Sequence, residues 1–182
     1  MDVRTLAQSN WLVALEENAM TEEIREEYKV ILTTEEDFNY TLKYLISEIA
    51  GKFFEDKIDK DSAIMFIENE YKYYNLEKYF GDFQKIKEYL SFVFDEYTNI
   101  ESKRQFILNC VEFLKNEENE EIKTGAYFAI LRFALSADFV KENIKIIKEL
   151  NGYLNNKKGY NNEYNPYYDV IYQAFFNMRN KF

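Results

Sequence analysis

The sequence predicts an all-α domain of about nine helices. Three observations carry this. Apolar residues recur at three- and four-residue steps in nearly every segment. Almost no segment alternates apolar and polar residues as a half-buried strand does. Between the periodic segments stand Thr, Ser, Asp and Asn, whose short side chains accept hydrogen bonds from the first free amides of a helix.

The first helix runs from about Val3 to Glu17 and a second begins at Thr21, with Ile24, Tyr28, Ile31 and Leu32 on one face. Thr33 or Thr34 caps a third, in which Phe38, Leu42, Leu45, Ile46 and Ile49 form the apolar stripe before Gly51 ends it. Asp61 or Ser62 caps a helix carrying Ile64, Ile67, Tyr71 and Tyr74, and Gly81-Asp82 supplies a stop followed by a start. Phe83, Ile86, Leu90, Val93 and Tyr97 line the next. Thr98 or Asn99 caps another, with Phe106, Cys110, Phe113 and Leu114 facing inward. After the connector "NEENEE", residues 116–121, the run "AYFAILRFAL" from Ala126 to Leu135 is apolar except at Arg132, as suits a central helix buried on most sides. Ser136 or Asp138 starts a helix with Val140, Ile144, Ile147 and Leu150 inside and Lys141, Glu142, Lys145, Lys148 and Glu149 outside. Asn165-Pro166 opens the last, because proline needs no donor at the first helical position.

Shifted by about forty residues, the chain aligns weakly with itself. Phe66-Ile67 falls on Phe106-Ile107 and Ile146-Ile147, and Tyr127, Phe128, Leu131 and Leu135 fall on Tyr167, Tyr168, Ile171 and Phe175. Two architectures fit: a short HEAT- or armadillo-like stack or an irregular helical bundle. In either, residues 1–182 form one domain, with 1–60 as an N-terminal helical cap and 61–182 as three helix pairs.

The 47% apolar content, with sixteen Phe and sixteen Tyr, is ample for a core. No apolar run approaches the roughly 20 residues that span a bilayer, and the N-terminus lacks a signal pattern, which predicts a cytoplasmic protein. A single cysteine suits a reducing compartment. Charge is uneven: residues 1–121 hold 28 acids against 14 bases, net −14, and residues 122–182 hold 5 against 9, net +4. Such an acidic surface disfavours direct nucleic-acid or membrane binding and favours a basic partner.

The absence of histidine excludes Ser-His-Asp triads, Cys-His pairs, His-ligated zinc or haem and Glu-x-x-His di-iron sites. Cys110 lies on an apolar stripe, where a thiolate is disfavoured. No glycine pattern cradles a phosphate, so no nucleotide cofactor is expected. Asp59, Asp61 and Glu70 stand at positions 1, 3 and 12 of a calcium-loop frame, but Ile64 occupies the place that requires glycine. Glu22, Glu23, Glu26, Glu27, Glu35, Glu36 and Asp37 offer carboxylates for magnesium, yet Ile24, Tyr28 and Ile31 define the buried face and leave most of these acids near helix starts, where the dipole favours them. Trp11 reads as an anchor of the first helix. Arg132 needs a partner, and a neighbouring Asp, Glu or helix C-terminus is the expected one.

With catalysis and cofactors disfavoured, a binding protein is expected. Two segments suit partner contact. One is the connector, where Glu112, Glu117, Glu118, Glu120 and Glu121 would steer a basic surface. The other is the stretch from Asn155 to Tyr164, in which Asn155, Asn156, Tyr160 and Tyr164 offer the tyrosine and asparagine chemistry of adaptable recognition loops. From Pro166 onward, Tyr168, Ile171, Tyr172 and Phe175 recur at helical spacing and read as core.

Residues 116–150, "NEENEEIKTGAYFAILRFALSADFVKENIKIIKEL", resemble the helix pairs of the small acidic all-α immunity proteins of bacterial contact-dependent and polymorphic toxin systems. The resemblance implies inhibition in trans: a tight complex with a cognate toxin, often a nuclease, whose substrate site is covered without chemistry by the inhibitor. It carries over no site residue. A phage- or island-encoded adaptor or anti-defence protein is the alternative, and a magnesium-dependent nucleotide pyrophosphohydrolase a third.

Overall fold

The computed structural model describes residues 2–134, 141–155 and 166–181. Among them are ten helices and no strand: α1 (Val3–Glu16), α2 (Glu22–Ile31), α3 (Glu35–Phe54), α4 (Lys60–Tyr73), α5 (Glu77–Phe80), α6 (Phe83–Asn99), α7 (Lys103–Leu114), α8 (Glu120–Ala134), α9 (Ile144–Asn155) and α10 (Pro166–Lys181). None of the described helices is long and apolar enough to cross a membrane.

Local chemistry sets most starts. Asp2, Thr21, Thr34, Asp59, Asp82 and Ser102 each accept a backbone N–H in the first turn of the helix that follows. At α3 the bond is reciprocal, Thr34 accepting from the Asp37 amide while the Asp37 carboxylate accepts from the Thr34 amide.

Three boundaries depart from the sequence expectation. α3 continues through Gly51, because Phe54 beyond it is buried and Phe53 stacks on Phe94 at 4.2 Å. That burial outweighs the cost of one helical glycine, about 1 kcal/mol. α4 starts from Asp59, not Asp61 or Ser62, which places the buried Ala63 inside the helix. Thr98 and Asn99 cap nothing ahead of them: their side chains bond back to the carbonyls of Phe94 and Asp95, α6 runs on to Asn99, and Ser102 caps α7.

The predicted stripes are largely the buried ones. Leu42, Leu45, Ile46 and Ile49 of α3, Ile64, Ile67 and Tyr71 of α4, and Phe83, Ile86, Leu90 and Val93 of α6 all lie in the core. Two positions do not follow. Phe113 is 39% exposed and Ile144 is 52% exposed, each at the edge of its helix's apolar face. The expected helix start at Ser136 or Asp138 lies outside the described residues.

Trp11 is fully buried and stacks on Tyr28 at 4.3 Å, while Tyr74 sits edge-on to both rings. The Trp11 indole donates to the Tyr74 hydroxyl at 3.1 Å, and the Tyr28 and Thr41 hydroxyls bond at 2.6 Å. Each polar tip of this aromatic cluster is thereby satisfied, as burial requires. Lys52, also buried, donates to the Leu15 carbonyl and to Asn18 Oδ1, closing the C-terminal end of α1.

α10 packs most extensively on α3 and α8 and also touches α6. In a solenoid each helix pair touches only its neighbours. The return of the last helix to the third closes the described helices into an irregular bundle, the second of the two architectures that the sequence allows. Phe106 meets Phe175 edge-on at 5.3 Å, and Tyr89 meets Tyr167 at 5.2 Å, so α10 is bound by rings from α7 and α6 as well.

Candidate protein-contact surface

The connector from Lys115 to Asn119 joins α7 to α8. Asn119 makes it short and ordered: its side-chain oxygen accepts from the Ile122 amide at 3.1 Å and starts α8. Its own amide donates to Glu117 Oε1 at 3.0 Å. Glu117 is consequently folded in. Its side chain is only 10% exposed and pairs with Lys85 of α6 at 3.3 Å, so it is a structural acid and not the free surface position that the sequence suggests.

The other acids of the connector lie outward. Glu112 is exposed and bonds Lys115 at 2.7 Å, holding that ammonium above its usual pKa. Glu118 and Glu120 are exposed. The side chain of Glu121 lies outside the described residues, as do Asn156, Tyr160 and Tyr164. Asn155 is exposed at the end of α9.

One contact ties the end of α9 to the start of α8. The Tyr153 hydroxyl donates to Glu120 Oε2 at 2.5 Å, linking the last turn of α9, which carries Asn155, to the first turn of α8. The ring of Tyr153 meets Tyr127 edge-on at 5.1 Å, and the Lys123 ammonium lies 5.6 Å above it. Burial first, then Tyr153 and the charge of Glu149, push the Tyr127 phenol up. Glu149 also acts on Lys115. Glu112, Lys115, Glu120, Glu149 and Tyr153 are thereby linked across α7, α8 and α9, with the exposed Glu118 and Asn155 next to them in the chain and the Phe92–Phe113 stack, 3.9 Å between centroids, joining α6 to α7.

Sequence reasoning missed Glu149, Tyr153 and Phe113 here. Residue spacing puts Glu149 on the solvent side without a role and Phe113 in the core. Only the packing of α9 on α8 shows that Tyr153 reaches back 33 residues to Glu120.

Arg132 is exposed, and its partners among the described residues are aromatic. It donates to the Tyr168 hydroxyl at 2.8 Å and lies 5.7 Å from the Tyr172 ring. A guanidinium that reaches solvent can do without a carboxylate, and among the described residues two tyrosines of α10 stand where an Asp, Glu or helix C-terminus is expected. Tyr168 itself is buried, as its spacing predicts.

The N-terminal acids hold elements together. Glu22 and Glu26 accept from the Tyr73 hydroxyl, Arg25 pairs with the buried Glu70 at 2.6 Å, and Asp37 pairs with Arg4. Among the described residues no three Asp, Glu or Cys side chains gather as a metal site would need. Cys110 is buried, and burial pushes its thiol pKa up, away from the thiolate. No family model matches the chain, and neither the curated proteins nor the solved structures include a significant match.

Proposed function

We propose that the chain is a protein-binding module of the immunity type, which neutralises a cognate toxin by covering a basic active-site surface with the α7–α8–α9 face. The link between Tyr153 and Glu120 carries this reading, because it joins the acidic connector and the end of α9 into one continuous surface. Exposed carboxylates at Glu112, Glu118, Glu120 and Glu149 supply the field that draws a basic partner in. Tyr153 and the Phe92–Phe113 stack supply rigid apolar area beside them, the kind of anchor on which protein interfaces depend.

The test is co-expression with the toxin domains encoded beside the gene. Growth rescue and a stable complex on size-exclusion chromatography are the expected result. Within that complex, Glu118→Lys together with Glu120→Lys should slow association roughly tenfold at low salt and much less at high salt. Absence of both rescue and complex would end the immunity reading; rescue with unchanged association kinetics would move the contact off this face.

A further inference from the structure

Helices α2 and α9 present glutamates and lysines to solvent, as surface helices do. The outward line of α10 is different. Tyr172, Phe176 and Arg179 follow one another at four- and three-residue steps, and the helix's single acid, Asp169, is buried. The adjoining helix α8, on which α10 packs extensively, adds two exposed residues four apart, Phe128 and Arg132. Both reach the same line: the Phe128 ring lies 6.2 Å from that of Tyr168, and Arg132 lies 5.7 Å from the Tyr172 ring. Phe128 and Phe176 are each more than a third exposed. A strip of Phe, Tyr and Arg without Lys or Glu has the composition of a protein interface, not of a solvated helix face.

The two guanidiniums are held in place by neutral groups. Arg132 donates through Nη1 to the Tyr168 hydroxyl at 2.8 Å. Arg179 lies 4.1 Å over the Phe176 ring and donates through Nε to the Phe176 carbonyl at 3.2 Å. In the N-terminal half, by contrast, Arg4 pairs with Asp37 and Arg25 with Glu70. Among the described residues no carboxylate meets Arg132 or Arg179, and the N–H groups that they do not use inside the chain are open to one. Residues 122–182 hold 9 bases against 5 acids, so the surrounding charge also favours an acidic partner.

We propose that the seam between α8 and α10 docks an acidic amphipathic helix of a second protein, whose carboxylates take Arg132 and Arg179 and whose apolar side chains lie on Phe128, Tyr172 and Phe176. A helical partner follows from the architecture. There is no strand among the described residues whose edge a peptide could extend, whereas two packed helices offer a groove to a third. From Tyr172, where Arg132 lies, to Arg179 the axis rises about 10 Å, which matches carboxylates two helical turns apart. A single nucleic-acid strand fits less well, because it needs open ring faces for its bases. Here Tyr168 and Tyr172 stack on each other at 5.9 Å, and Arg179 covers Phe176. The strip shares no residue with the α7–α8–α9 face, so it stands or falls apart from the immunity reading.

The probe is an alanine-based helical peptide with two glutamates two turns apart and leucines between them. It is titrated by calorimetry and by NMR amide shifts, beside its glutamine counterpart and oligothymidylate. The glutamate peptide should bind and move the amides of residues 128–132 and 172–179, the glutamine peptide should bind about tenfold more weakly, and oligothymidylate should not bind. Arg179→Gln removes an exposed side chain that contacts only its own helix, so it should weaken binding about tenfold with the melting temperature unchanged; Arg132→Gln should weaken it likewise. No binding of the glutamate peptide at millimolar concentration, shifts confined to other residues, equal affinity for the two peptides, or unaltered affinity in both variants would overturn the proposal. So would tighter binding of oligothymidylate, which assigns the strip to a nucleic acid, or self-association in sedimentation that Arg179→Gln abolishes, which assigns it to a second copy of the chain.

Discussion

Two buried carboxylates, one in each half of the bundle, are handled in opposite ways. Glu70 of α4 is 2% exposed; Arg25 of α2 grips one of its oxygens at 2.6 Å and the other has no hydrogen-bond partner. Asp169 of α10 is 7% exposed; one of its oxygens has no hydrogen-bond partner, and the charge that reaches it is that of Lys43 on α3. Burial pushes the Asp169 carboxyl up to about 7, with Lys43 pulling only partly the other way. The difference teaches how the halves are built. Around α1 to α4 the buried polar groups find partners within the packing, Trp11 with Tyr74 and Tyr28 with Thr41, and Glu70, although its Oε2 accepts no hydrogen bond, has its charge met by Arg25 at Oε1. Where α10 returns onto α3, an acid is buried with one oxygen unbonded and only the charge of Lys43 acting on it, and burial favours its protonated form.

The largest effect expected is in the well-matched half. Trp11→Ala removes the ring stacked on Tyr28 and leaves the Tyr74 hydroxyl without its donor. A loss of about 3–5 kcal/mol is expected in urea unfolding. A loss below about 1 kcal/mol would show that the cluster is not the keystone of this half.

Asp169→Asn should act with the opposite sign. Because the folded pKa of Asp169 lies above the unfolded value, the native state binds the extra proton between about pH 4 and 7, and stability falls as pH rises through that window. The wild-type protein is therefore expected to melt lower at pH 8 than at pH 5.5, and the variant, which keeps a neutral side chain throughout, to gain roughly 1–3 kcal/mol at pH 8 and to show a flatter profile. An unchanged profile would mean that Asp169 finds compensation in solution and would erase the contrast with Glu70.

The smallest effect belongs to Tyr153→Phe. The phenol is partly exposed at the edge of the structure, so loss of its bond to Glu120 should cost only about 0.5–1 kcal/mol. Its diagnostic value lies elsewhere. If Tyr153 and Glu120 act as one contact unit, the variant should weaken a toxin complex by more than it weakens the fold.

The all-α class, the positions of the buried stripes and the caps at Thr21, Thr34 and Asp82 were readable from the chain, because they depend on residues within one or two turns of each other. Trp11 as an anchor, Cys110 as an inert core residue and the stop-start at Gly81-Asp82 belong to that set. Where local reading failed, a competing contact had won, in one case from another helix and in another from within the same helix. α3 passes Gly51 because Phe53 and Phe54 find Phe94 on another helix, and α6 overruns Thr98 and Asn99 because their side chains bond back into the helix they were expected to leave.

Of the candidate contact residues, the chain marked the acids of the connector but not how they are used. Glu117 was indistinguishable from Glu118 until Lys85 of α6 lay beside it. The partners of Arg132 stand 36 residues away or more, the acceptor of Tyr153 stands 33 away, and the seat of α10 on α3 joins opposite ends of the chain. Periodicity and capping are written into neighbouring residues by the fixed geometry of the helix. Which helix faces which is decided by how whole surfaces fit together. The fold class could thus be read from residue spacing, while the closure of the bundle and the tie between the end of α9 and the start of α8 belong to tertiary structure alone.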